Sequence, residues 1–410
     1  MKNKYFMAFI LIILLISLTG CFLFPPRDNT AEWTIMIYLD ADNNLESAGI
    51  NDINEMEIVG STPEVNIVVQ VDRIPYSVLA ANNEGHLDDS SNSNWTNTRR
   101  YYITQDFDPY QISSDLKSEL DELNMGDPQT LVDFASWAVA NYSAKKYLLV
   151  IWNHGGGFRS PAYTAKDIAW DDTSGGDRIT MPELEYALSA ISAQMGKNID
   201  IVGMDACLMA MTEVAYQIKD YAHIMVASEE NEPGDGWPYD TILAQLVSNP
   251  HMSPVQLAVD IVDRYIYSYP YNDVTQSAIN LSYMNTLAKQ LSNLALAIMS
   301  DTLTPKNTYI NAAYSSQYYG DPDFIDLYDF CNKIFDYSNS LEVKTISLII
   351  QQTLLNFTVI NSGYNGWSVS GSKGLSIYFP WYYAYNSNKY NSTNFAQDTS
   401  WDEMLLYLGL

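Results

Sequence analysis

Residues 148–158 read LLVIWNHGGGF, and residues 199–218 read IDIVGMDACLMAMTEVAYQI. Each is a short apolar, β-branched run that stops at chemically distinctive residues: His154 with Gly155, Gly156 and Gly157 in the first, Asp205, Ala206 and Cys207 in the second. Runs of this kind, bounded by polar residues, predict strands buried on both faces. Outward from them, Trp33–Leu39, Val65–Val71 and His223–Ala227 read the same way, as do the full strands Lys146–Trp152 and Ile199–Met204. Helical patterns near Leu45–Val59, Pro128–Tyr142, Met181–Met195 and Leu208–Tyr221 alternate with them, and Thr180 with Pro182 and Glu183 spells a capping box before the third. The alternation predicts an α/β fold, a mostly parallel sheet with helices on both faces. Functional groups of such a sheet gather at the carboxyl ends of its strands.

His154 and Cys207 both stand at such ends. A cysteine opening a helix has its thiolate favoured by unpaired N–H groups, which lowers an ordinary pKa of about 8.5. An imidazole on the neighbouring strand end would take the thiol proton and later protonate a leaving amine. Glycines after the histidine let backbone N–H groups of Gly155 and Gly156 approach a carbonyl, and with the Cys207 N–H they would form an oxyanion hole. A histidine before glycines is otherwise a turn residue, and a cysteine at a strand end is otherwise core; the pairing on adjacent strands points to chemistry.

Composition excludes disorder, because 47% of the 410 residues are hydrophobic and only 17% charged. Lys2 and Lys4 precede an apolar run from Tyr5 to Leu18, too short to span a bilayer, which reads as an export signal. Leu18-Thr19-Gly20-Cys21 resembles a bacterial lipobox, in which the cysteine is acylated and becomes the N-terminus. Loss of residues 1–20 removes two lysines and no acid, taking the formal charge from −28 to −30. That surface disfavours nucleic acid and attracts cationic ligands. With Cys21 lipidated, Cys331 lies in an amphipathic stretch and reads as core, leaving Cys207 to be explained.

Further blocks surround the two strand ends: WTIMIYLDADNNLE at 33–46, DDTSGGDRIT at 171–180, ASEENEPGDGWPYD at 227–240, FIDLYDF at 324–330 and GLSIYFP at 374–380. Together with NHGGGF and MDACLMAMTEVAYQI they resemble, in order, the clostripain branch of the caspase-like cysteine peptidases. The resemblance runs from Trp33 to about Phe379. It implies a Cys-His dyad, Cys207 as nucleophile and His154 as base, acting through an acyl-enzyme and cleaving after arginine or lysine. Asp205 matches the family acid that faces a cationic side chain, a sensible partner for guanidinium; its alternative is a cap on the Cys207 helix. Asp235 is a second pocket acid or a solvated turn, with Glu229 or Glu230 beside it, and Trp237 is a pocket wall or core.

The implied organisation is a signal peptide over 1–20, a tether over 21–32 and a caspase-like core over 33–284. A helical and strand extension over 285–410 then completes the peptidase unit. The implied protein is a monomeric lipoprotein of the bacterial envelope, facing the exterior or periplasm, with polypeptide substrates carrying basic residues. The alternative is a silent relative that serves as a surface binding protein. Some relatives mature by self-cleavage, for which Lys166, Arg178 and Lys197 are the basic sites between His154 and Cys207. Some need calcium. Asp40, Asp42 and Asn44 imitate an EF-hand opening but lack its glycine and terminal glutamate, and Asp171, Asp172 and Asp177 form another acidic turn. No cofactor is required on this reading, and His86, His154, His223 and His251 lack zinc-ligand spacing.

Overall fold

The computed structural model describes residues 30–82, 89–158, 167–381, 385 and 387–410. The segment before Thr30 with Cys21, and also His86 and Lys166, lie outside the described residues.

Thirteen strands follow the chain among the described residues. They are β1 (Ala31–Ala41), β2 (Val65–Arg73), β3 (Arg99–Tyr102), β4 (Asp115–Glu119), β5 (Ala144–Trp152), β6 (Ile168–Asp171) and β7 (Asp177–Ile179). After them come β8 (Ile199–Asp205), β9 (Ala222–Ala227), β10 (Val274–Asn280), β11 (Phe324–Asp326), β12 (Val359–Asn365) and β13 (Ser376–Tyr378). Nine form one sheet in the order β12-β10-β9-β8-β5-β1-β2-β3-β4. The middle five, β9 to β2, are parallel, and these are the five strands the apolar runs predict. Antiparallel strands extend both margins.

Alternation within each run divides the core into two layers. Ile35, Ile37 and Leu39 face one way with Val65, Ile67 and Val69, under the helices Glu46–Val59, Tyr239–Ser248 and Pro254–Ser268. Met36 and Tyr38 face the other way with Leu149 and Ile151, under the helices Pro128–Asn141, Met181–Met195 and Met284–Ser300. Helix Met181–Met195 starts at the expected capping box, with the Thr180 N–H donating to Glu183 Oε2 at 2.9 Å.

Residues 285–410 do not stand apart. Val359–Asn365 joins the main sheet as β12, Ser376–Tyr378 pairs with Phe324–Asp326, and Ala31–Leu410 is one compact unit. From the sequence, Phe357–Asn361 and Trp367–Ser370 read as strands, and both differ in detail. Phe357 lies in a π-helical turn, Leu354–Thr358, so that strand starts only at Val359, and Trp367–Ser370 is a turn. No helix of the described residues is long and apolar enough to cross a membrane.

Candidate active site

Strands β5 and β8 are parallel neighbours, with Trp152 opposite Asp205. The chain therefore delivers Asn153–His154 and Ala206–Cys207 to the same edge of the sheet. Gly155 brings the two loops into backbone contact: a Cβ there would lie 2.3 Å from the Cys207 carbonyl oxygen and 3.0 Å from its nitrogen. No residue with a side chain fits that gap without moving a loop.

His154 is oriented from the opposite side. Its Nε2 lies 2.6 Å from Asn44 Oδ1, on the loop that leaves β1, the other neighbour of β5. Asn153 ties the histidine loop down, donating through Nδ2 to the Asp40 carbonyl at 2.8 Å and the Trp170 carbonyl at 3.1 Å. Neither asparagine figures as a site residue in the sequence reading. Asn44 was visible there only as part of an acidic run, and the contact joins residues 110 apart in sequence.

Cys207 is not at a helix start. The helix begins at Thr212, and Leu208 takes a left-handed backbone with φ of +64°, so the chain turns sharply just after the cysteine. Such strain in a non-glycine residue is held by its surroundings, here the Leu208 N–H on the Glu230 carbonyl at 3.2 Å and the Ala210 N–H on the Ser228 carbonyl at 2.8 Å. The half-buried thiol accepts from the Glu232 N–H at 3.2 Å. Burial pushes the thiol up; the Glu232 N–H pulls it down, while Glu230 and Asp205 add to the upward push. The helix-lowered thiolate expected from sequence is thus replaced by a resting thiol, which needs a base.

Asp205 is buried beneath the loop 232–239. It accepts from the Trp237 N–H at 3.1 Å and the Tyr239 hydroxyl at 2.8 Å, and a Cβ on Gly236 would sit 3.0 Å from each of its oxygens. It therefore fastens that loop and does not cap a helix. Burial raises its carboxyl, and beside it Glu232 is held well above the usual range by burial and by the Asp205 charge. Glu232 Oε1 accepts from Gln276 at 3.2 Å, while Oε2 is buried without a hydrogen-bond partner. Asp52, accepting from Trp152 Nε1 at 2.6 Å, is pushed up by burial and then by Asp205; Glu55 is pushed up to about 7, mainly by burial. Asp52, Glu55, Asp205 and Glu232 thus form a cluster of acids, with Asp52 and Asp205 buried and Glu55 and Glu232 half-buried. Sequence reasoning missed Asp52, Glu55 and Glu232, the first two on the helix after β1 and the last hidden among other acids of its loop.

Other expected site residues are placed differently. Glu229 is buried and committed, accepting from the Tyr319 hydroxyl at 2.8 Å and the Gly374 N–H at 2.9 Å, so it braces the C-terminal third and offers no face to a substrate. Trp237 is 1% exposed and packs its ring over Gly203, which makes it core. The Gly156 N–H donates to the Asp167 carbonyl at 3.1 Å and is not directed at an oxyanion. Asp235 is exposed on its loop, and Glu230 accepts from the Gly320 N–H at 2.9 Å. Arg178 sits in β7, paired with Asp167 at 3.0 Å, whereas Lys197 is exposed in the turn before β8, 2.8 Å from Asp200.

A second acidic group lies at the ends of β1 and β2, where Asp42, Asp72 and Glu122 each direct one carboxylate oxygen into the same space. Burial and then Asp171 push Asp42 up to about 9, and burial holds Asp72 well above the usual range.

A family model described as the clostripain family, peptidase family C11, matches residues 37–407. Clostripain of Hathewaya histolytica is 28% identical over 430 aligned residues, taking in 90% of this chain and 78% of that protein. Among solved structures, a secreted C11 cysteine protease from Bacteroides thetaiotaomicron, in complex with an irreversible peptide inhibitor, superposes with a TM-score of 0.66 at 20% identity. That match covers 91% of this chain and 100% of the other. An inactive zymogen C11 protease from Parabacteroides distasonis gives 0.63 at 17% identity, covering 93% and 99%. At such identities the two structures speak for the fold.

Proposed function

The chain belongs to the clostripain family and is a cysteine peptidase, and from that premise we propose an exported, lipid-anchored endopeptidase that cleaves polypeptides after arginine or lysine. The observation that carries the reading is the backbone contact of the His154 and Cys207 loops through Gly155, with the acids Asp205 and Glu232 beside the nucleophile.

With Asn44 Oδ1 as acceptor, His154 Nε2 holds a proton and Nδ1 carries the lone pair. Nδ1 takes the Cys207 proton as Sγ attacks the scissile carbonyl, and the resulting imidazolium protonates the departing amine. Water, deprotonated by the same imidazole, then releases the acyl group and restores the thiol. The N–H groups of Cys207 and Gly155 are the oxyanion donors on this reading, and each such donor typically supplies about 3 kcal/mol. A substrate guanidinium or ammonium would meet the pocket acids, whose burial makes an unpaired charge costly and a paired one favourable. Asp235, exposed at the rim, adds attraction that salt screens. Cys21 carries the lipid.

The test is hydrolysis of arginyl, lysyl and aspartyl amides by the mature chain, by Cys207→Ala and by His154→Ala. The first two substrates should be cleaved by the parent alone, and an alkylator should label Cys207 before the fully buried Cys331. Cys21→Ala should leave the membrane fraction. Activity surviving in Cys207→Ala, or equal cleavage after aspartate, would refute the chemistry or the specificity respectively.

A further inference from the structure

Strand order places a cavity on the same edge of the sheet as Cys207. Strand β10 pairs antiparallel with β9 and so starts where β9 ends; β12 pairs antiparallel with β10, which sets Asn365 at its end opposite Val274. The carboxyl ends of β8, β9 and β12 therefore share one edge, and Trp367 follows two residues after β12. Beside it opens a cavity of about 540 Å³, walled by Trp367, Tyr318, Gly320 and Glu230. Glu230 also reaches the nucleophile loop, since its carbonyl accepts from the Leu208 N–H at 3.2 Å.

The lining tells what kind of side chain would enter. Trp367 is 90% exposed and Tyr318 54%, a large aromatic area left in water at the mouth of a concavity. Gln317 fastens the two segments that carry these rings: its Nε2 donates to the Tyr318 and Ser368 carbonyls, both at 2.7 Å, and its Oε1 accepts from the Gly371 N–H at 3.0 Å. The charged groups are already engaged. Lys333 pairs with Asp329 at 2.8 Å, and Glu230 Oε1 accepts from the N–H groups of Asn231 at 2.7 Å and Gly320 at 2.9 Å. What remains for a ligand is aromatic surface on a preorganised frame, which suits a neutral side chain with a large apolar face.

Position along the edge decides which part of a substrate arrives there. His154, which hands its proton to the departing amine, stands on the β5 side of Cys207, so the leaving half of the peptide lies toward β5 and the acyl half runs the other way, past β9 toward β12. Three strand spacings of about 4.8 Å separate β8 from β12, about 14 Å, which an extended chain covers in about four residues. We propose that this cavity is a substrate subsite, which takes an aromatic or long apolar side chain about four residues ahead of the cleaved residue, on the acyl side, and stacks it on Trp367. The direction rests on Cys207 as nucleophile and His154 as acid; the affinity of the cavity for the side chain does not.

Cleavage and binding, measured separately, keep the two apart. Internally quenched peptides with a single arginine, carrying phenylalanine or alanine in turn at each position on either side of it, give kcat/KM ratios for the mature chain. The ratio of phenylalanine to alanine should peak about four residues upstream, at roughly tenfold or more, the worth of burying an aromatic ring. Trp367→Ala removes an exposed side chain with little packing and should bring that ratio to about one, whereas Tyr271→Ala, equally exposed but outside the cavity, should leave it in place. The same peptides bound to Cys207→Ala, followed by fluorescence anisotropy, should show the same preference and lose it when Trp367→Ala is added. No preference in binding, a peak on the leaving side of the arginine, or a preference that survives Trp367→Ala would overturn the subsite. Peptides bound with the preference but not cleaved by the parent would leave the subsite standing and count against the dyad alone.

Discussion

Replacing Asp205 by asparagine removes a charge while keeping one side-chain oxygen for the Trp237 N–H or the Tyr239 hydroxyl. If the carboxylate recognises the substrate cation, Asp205→Asn should lower kcat/KM for arginyl amides by about 2–5 kcal/mol, the range for truncated buried charge pairs. Neutral substrates should change little, and Asp235→Asn should cost less because that residue is exposed. If Asp205 serves only to fasten the loop 232–239, every substrate slows equally, and the specificity must be sought in Glu232. Comparing arginyl with alanyl amides on the two variants decides between these.

The His154 and Cys207 loops meet with no room between them, so Gly155→Ala should separate them. The added methyl would press on the Cys207 backbone, costing roughly 1–3 kcal/mol of stability and most of the activity; chemical denaturation and amide hydrolysis measure the two. This contact was not legible in the sequence, although both loops were, because a strand end can be read from its run of apolar residues while its neighbour's reach cannot. The five parallel strands were legible because each is buried on both faces. Strand β10 was not: Thr275, Gln276 and Ser277 are polar yet buried, since Thr275 accepts from the N–H groups of Glu229 and Glu230, and Ser277 donates to the Gly374 carbonyl at 2.6 Å. Strand β4 is an exposed edge without an apolar face. The helix expected from Leu208 starts late because Ala210 and Met211 instead meet Ser376 of β13, with the Ser376 N–H on the Ala210 carbonyl at 2.9 Å.

Across the whole molecule, buried carboxyls set the response to pH. Burial pushes Glu55 and Glu213 up to about 7 and Asp42 up to about 9, so between the unfolded values and these the folded chain holds protons the unfolded chain releases. Stability is then greatest below the unfolded values and falls as pH rises through the folded ones. Glu32, lowered chiefly by its bond to Lys145, works the other way, as do Asp106 and Asp301, but the buried carboxyls pushed up outnumber these three. The chain should therefore melt higher at pH 5 than at pH 8, and a flat or rising profile would contradict the burial of these acids. Strands β1 to β5 precede, and β8 to β12 follow, the stretch that holds Arg178 and Lys197, yet β5 and β8 are hydrogen-bonded neighbours in the middle of the sheet. A nick between them would leave His154 and Cys207 on separate polypeptides joined by an unbroken ladder, so that covalent continuity and the integrity of the active site are independent properties of this architecture.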